Sequence, residues 1–70
     1  MRRRPLDPLE ARILAVLIQN EGFLNTAEVA REARVSWNTA LAYLKKFYRD
    51  GWVEKKGRKT VYWRAIYEEY

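Results

Sequence analysis

The stretch from Val35 to Gly51 constrains this chain more than any other, because it carries a helix start, a helix stop and two unlike faces. Ser36 is an N-cap residue whose hydroxyl accepts from an otherwise unpaired amide of the first turn. Gly51 stands where a helix ends in the left-handed conformation that side-chain-bearing residues resist. At 100° per residue, Ala40, Tyr43, Leu44 and Phe47 form one apolar stripe, which requires a core beneath it. Asn38, Ala42, Lys45 and Arg49 gather on the opposite side, with Thr39 and Lys46 on one flank, along roughly 17 Å of helix.

The chain ahead of this helix supplies two more capped starts. Asp7-Pro8-Leu9-Glu10 places a carboxylate at the N-cap, proline at the first helical position and glutamate to close a capping box. The helix it opens runs to about residue 20 or 21, with Gly22 as its expected stop. Its core stripe is Leu9, Ile13, Val16 and Leu17. Leu14 and Ile18 fall on nearly the opposite side, between Ala11 and Ala15, so they are expected to point away from the core. Phe23-Leu24 reads as at most a stub strand. Asn25-Thr26-Ala27-Glu28 is a second capping box and opens a helix through about Ala33, with Val29, Ala30 and Ala33 inside.

Past Gly51 the periodicity changes from helical to alternating. Residues 52–56 and 60–66 are rich in Val, Thr, Tyr and Trp and read as two strands joined by Gly57-Arg58-Lys59. Lys55, Lys56, Arg58 and Lys59 surround that single glycine. Lysine on an edge strand discourages sheet-to-sheet aggregation, but one or two charges suffice for that. Four cations at a hairpin tip fit contact with phosphates better.

Charge sharpens this reading. From Pro5 to Ala33 there are two basic residues against five acidic ones, a net of −3; from Arg34 to Arg64 there are nine against two, a net of +7. A one-sided basic surface is the footprint of a polyanion partner. An amide such as Asn38 can pair bidentately with adenine, a methyl such as Ala42 can touch thymine, and Lys45 can meet guanine or phosphate. A solvated helix face is also often basic with no partner, and the helix by itself does not decide between the two. Arg2, Arg3 and Arg4 form a short basic arm that could reach a minor groove or phosphates, or serve as a solubilising terminus. Tyr67-Glu68-Glu69-Tyr70 could extend the last strand, fold over the first helix or fray.

Composition excludes more than it assigns. Seventy residues make one small domain. With no cysteine and no histidine there is no disulfide framework, no thiolate metal site, and neither the commonest general base nor the commonest metal ligand. Asp7 and Glu28 are engaged as caps, so no nucleophile-base constellation can be assembled, and neither enzyme activity, metal nor cofactor is expected. No membrane span, signal peptide or small-molecule site is evident, and a cytoplasmic setting with the nucleoid is expected.

With the order helix, stub strand, helix, helix, hairpin in place, the sequence resembles the winged helix-turn-helix domains of bacterial and archaeal transcription regulators. The resemblance is closest from Asn25 through Ala33, at Val35-Ser36 and Leu44-Lys45-Lys46, and from Asp50 to Lys56, and it covers residues 6–66. It implies a mainly helical α+β fold of three helices and a β-hairpin wing, between an arm at 1–5 and a tail at 67–70. The third position of the helix-turn-helix turn often carries glycine; here it is Arg34. The resemblance implies that the helix from Ser36 enters a major groove, with Trp37, Asn38, Leu41, Ala42 and Lys45 toward the bases. It places Ser36, Thr39, Lys46, Arg49 and the wing cations Lys55, Lys56, Arg58 and Lys59 toward the backbone. Trp37 and Leu41 are large and apolar for a groove, and could instead cap the flank of the core.

The function implied is sequence-specific binding of double-stranded DNA by a small transcription regulator. The alternative is a winged helix that binds proteins in a replication or transcription assembly; the basic face disfavours it. A homodimer is expected through Ala11, Leu14, Ala15 and Ile18, joined by Tyr67 or Tyr70, which would offer two recognition helices to a palindromic site.

Overall fold

The computed structural model describes residues 7–66. Three helices and three short strands follow in the order α1 (Pro8–Gln19), β1 (Leu24–Asn25), α2 (Thr26–Ala33), α3 (Trp37–Arg49), β2 (Val53–Lys56) and β3 (Tyr62–Ala65). The strands make one antiparallel sheet in the order β1-β3-β2, so the last strand is central and the stub strand is an edge. This is the mainly helical α+β winged helix fold that the sequence resembles. The expected arm, Arg2 to Arg4, and the tail tyrosines Tyr67 and Tyr70 lie outside the described residues.

Each helix starts where its capping chemistry dictates. The Glu10 amide donates to Asp7 Oδ1 at 2.7 Å and the Asp7 amide to Glu10 Oε1 at 3.1 Å, so both halves of the box are closed. Asn25 and Glu28 repeat the arrangement at 2.8 and 2.9 Å. Ser36 Oγ accepts from the Thr39 amide at 3.1 Å and donates to Thr39 Oγ1 at 2.8 Å.

The helix ends are less uniform. α1 stops at Gln19, ahead of the expected glycine, because Asn20 turns back on it: its amide and its side-chain Nδ2 both donate to the Val16 carbonyl, at 3.2 and 2.7 Å. Gly22 takes no left-handed conformation and is not the stop. α2 and α3 end in the same motif with different residues. After α3, Gly51 sits at φ 83°, its amide donates to the Tyr48 carbonyl and that of Trp52 to Phe47. After α2, Arg34 takes that place at φ 62°, its amide donates to Arg31 and that of Val35 to Ala30. The helix-turn-helix turn therefore keeps its left-handed residue without glycine, at a cost of about 1 kcal/mol. The motif's usual hydrophobic contact is present after α3, where the Phe47 and Trp52 rings stack at 5.7 Å and 8°.

The core lies where α1, α2, α3 and the sheet converge. Ala40, Leu44 and Phe47 of α3 are buried as the periodicity requires, and Tyr43 of the same stripe is half-buried against the core. Val29, Ala30 and Ala33 of α2 meet them, and Trp52, Val53 and Trp63 close the sheet side. Trp63, 1% exposed, pairs its indole N–H with Thr26 Oγ1 at 2.8 Å, which ties the central strand to the start of α2. On α1 the structure corrects the expected division of faces. Leu14 is buried, 2% exposed, beside Ile13, Val16 and Leu17, whereas Leu9 is only half-buried. α1 packs against β3 as well as α2 and α3, so a wider arc is covered than a single stripe. Ile18, at 44% exposure, remains outside with Ala11 and Ala15.

Trp52 stands between α3 and β2: its amide is committed to the α3 terminus, while its carbonyl accepts from the Ile66 amide at 3.2 Å. Residues 57–61 form the tip of the wing. Gly57 sits at φ 106°, where a Cβ would collide with the Thr60 carbonyl.

Candidate nucleic-acid interface

α3 presents two non-core faces. Asn38, Ala42, Lys45 and Arg49 are all exposed, and their spacing sets them along one side of the helix. Ser36 and Thr39 stand at its first turn, locked to each other by the cap. The second face, Trp37, Leu41 and Lys45 at intervals of one turn, looks toward the wing. Trp37 is 51% exposed and Leu41 is half-buried against the core, so these two neither reach the outermost face nor leave the surface.

Between this second face and the hairpin lies a cleft of about 520 Å³. Trp37, Leu41 and Lys45 form one wall, Lys59, Thr60 and Val61 of the wing tip form the other, and the start of α2 at Asn25, Thr26 and Ala27 closes the end. The cleft joins helix and wing into one surface: Lys45 and Lys59 face it from opposite sides.

The wing cations fall into two groups. At the tip, Arg58 and Lys59 are exposed and form no ion pair among the described residues. At the base, Lys55 Nζ lies 4.7 Å from the centroid of the Tyr48 ring and 5.9 Å from that of Trp63. Lys56 Nζ and Arg64 Cζ lie 4.2 and 4.8 Å from the Phe23 ring, and Arg64 is also paired with Glu54. A cation over an aromatic face keeps its charge but is held in place. The base cations are thus engaged with rings, whereas Arg58 and Lys59 stand exposed at the tip. Tyr48, Phe23 and Arg64 were not singled out from sequence, because their roles depend on strand register, which brings Lys55 opposite Trp63 and Glu54 opposite Arg64.

Lys46 has a partner within the fold. Its Nζ sits 2.7 Å from Glu10 Oε2, and the Glu10 side chain is 2% exposed. Helical spacing places Lys46 on a flank, and there its ammonium turns toward the buried carboxylate of α1. Lys46 ties α3 to α1 through this pair, while its side chain remains 42% exposed. Arg12 acts similarly from α1, donating from Nη1 to the Ala33 carbonyl at 3.0 Å at the end of α2. Among the described residues no acidic cluster could hold a metal ion, and no helix is long and apolar enough to cross a membrane.

Comparison with known proteins agrees with this geometry. No curated protein sequence matches the chain. Among solved structures, NadR in complex with 4-hydroxyphenylacetate superposes with a TM-score of 0.76 at 18% identity, over 87% of this chain and 45% of that one. The chain thus spans less than half of that protein, and at this identity the likeness is one of fold. Residues 6–54 match the family described as winged helix-turn-helix DNA-binding, which takes in α1, α2, the turn at Arg34, α3 and the start of the wing. The chain belongs to the winged helix-turn-helix DNA-binding family.

Proposed function

We propose that this protein is a small transcription regulator that reads duplex DNA with α3 in the major groove and its wing on the backbone. The observation that carries the reading is the continuity of helix and wing. Lys45 and Lys59 flank one cleft, so a duplex meeting the Asn38-Ala42-Lys45-Arg49 face also meets the tip cations. In this reading Asn38, Ala42 and Lys45 contact base edges, and Trp37 and Leu41 border them on the wing side. Ser36, Thr39, Arg49, Arg58 and Lys59 contact phosphates, and Lys55 and Lys56 add to the field from the wing base. Lys46 is left out because of its pairing with Glu10. The described surface favours DNA over a protein partner, since α3 offers cations and an amide and no acidic residue.

Among the described residues, a two-fold dimer through α1 would rest on Ala11, Ala15 and Ile18, since Leu14 belongs to the core. Sedimentation of wild type and an Ile18→Lys variant checks it: a dimer that the substitution splits into folded monomers is the expected outcome.

The test of DNA reading is a gel-shift titration against genomic fragments at two salt concentrations. Each phosphate contact contributes about 0.9 to the log-log salt slope. The Arg58→Ala, Lys59→Ala double variant should therefore flatten the slope by about 1.8 and weaken all sequences alike. Salt-independent binding, or none, would remove the proposal.

A further inference from the structure

The cleft beside α3 has a chemistry that reading paired bases does not require. Its wall is an indole and an isobutyl group, Trp37 and Leu41, where the neighbouring face offers an amide and a methyl. Trp37 stands apart among the tryptophans: Trp52 and Trp63 are 6% and 1% exposed, whereas Trp37 is 51% exposed. Leaving an indole half in water at the first turn of a helix contributes little to folding. At about 520 Å³, the cleft lies within the range of roughly 300–1000 Å³ that accommodates a small-molecule-sized group. Lys45 on one wall and Lys59 on the other supply positive charge at its edges, and no carboxylate lines it.

An apolar aromatic floor between two cations matches a nucleotide whose base has left the stack. The base offers a π-face to the indole, and the phosphates on either side of it offer negative charge to the lysines. We propose that this cleft receives one unpaired nucleobase, stacked on Trp37 with Leu41 and Val61 beneath, while Lys59 and Lys45, the latter in place of its base contact on paired DNA, hold its flanking phosphates. The proposal rests on the duplex-binding reading and extends it: the protein would prefer a duplex carrying an unpaired base to a fully paired one. A base already free of pairing costs least to extrude, so the preference should approach the stacking contribution, roughly 5- to 150-fold per base.

The experiment compares two DNA probes of the same sequence, one fully paired and one with a single unpaired thymine, bound by the 70-residue chain. Wild type should bind the bulged probe more tightly by the factor above, and its tryptophan emission should be quenched on binding. Trp37→Leu keeps apolar bulk but has no π-face, so it should lose the preference and bind the two probes equally, whatever its effect on the paired one. Trp37→Phe should retain a reduced preference and show no quenching. Circular dichroism establishes that both variants are folded. Equal wild-type binding of the two probes overturns the proposal and leaves the duplex reading intact. A Trp37→Leu variant that weakens both probes alike also overturns it, since the indole would then be an ordinary duplex contact. Failure of wild type to bind either probe overturns both readings.

Discussion

α1 and α3 are helices of nearly equal length, each with a side-chain cap at its start, and they are used in opposite ways. α1 is enclosed over a wide arc, with Ile13, Leu14, Val16, Leu17 and even the carboxylate of Glu10 withdrawn from water. α3 is enclosed along one narrow stripe, Ala40, Leu44 and Phe47, and leaves most of its remaining surface free. The difference follows from position: α1 packs on both other helices and on β3, whereas α3, which also packs on α1, α2 and β2, leaves one side facing the cleft and solvent among the described residues. In a domain this small, one helix is occupied with stability so that another can present a surface. Substitutions on α1 should therefore move stability, and substitutions on the outer faces of α3 should move binding.

The largest expected effect tests the first half of that contrast. Leu14→Ala should cost about 2–5 kcal/mol in chemical denaturation, because it opens a void among side chains that are fully packed. Ile18→Ala, one turn further along the same helix, should stay within about 0.5 kcal/mol, since Ile18 is 44% exposed. A reversed order would restore the division of faces that periodicity alone implies.

Lys46 is the point at which the two helices are joined, and it should behave like α1 although it belongs to α3. Lys46→Met removes the counter-charge from a carboxylate that is 2% exposed and should destabilise by about 1–3 kcal/mol. Its effect on DNA affinity, measured where the variant is folded, should be small. A large loss of affinity with unchanged stability would return Lys46 to the phosphate-binding surface.

Asn38→Ala tests the other half. The amide is exposed and takes no part in the core, so stability should hold within about 0.5 kcal/mol. Affinity for a preferred site should fall by about 1–3 kcal/mol, with little change on random DNA. Gel shifts on both kinds of probe separate base reading from mere positioning.

The smallest effect concerns the turn between α2 and α3. Arg34→Gly should stabilise by about 0.5–1 kcal/mol by relieving the left-handed strain at φ 62°. Thermal unfolding of the two proteins checks this. A loss of stability would mean that Arg34 makes contacts that outweigh the strain.

Much of this was legible in the sequence because it is local. The Asp7-Glu10 and Asn25-Glu28 boxes, the Ser36 cap and the Gly51 stop each involve neighbours a few residues apart, and each is found in the structure. The stripe Ala40-Leu44-Phe47 follows from helical spacing alone. What was not legible depends on distant packing. Periodicity turns Leu14 outward because nothing in α1 itself announces that β3 returns to pack on the helix. Lys46 looked free because its partner Glu10 is thirty-six positions away and reads as a cap, which it also is. The cations of the wing base looked equivalent to those of the tip until strand register set Lys55 over Tyr48 and Lys56 over Phe23. Gly22 was read as a helix stop, a task the Asn20 side chain performs two residues earlier.

The central claim is that α3 and the wing tip meet DNA while α1 stays apart, and amide chemical-shift mapping during titration with a short duplex tests it most directly. The account predicts shifts at Asn38, Ala42, Lys45 and Arg49 and across Arg58 and Lys59, with Ala11, Ala15 and Ile18 of α1 unmoved. Shifts centred on the exposed side of α1, with the outer faces of α3 silent, would contradict it.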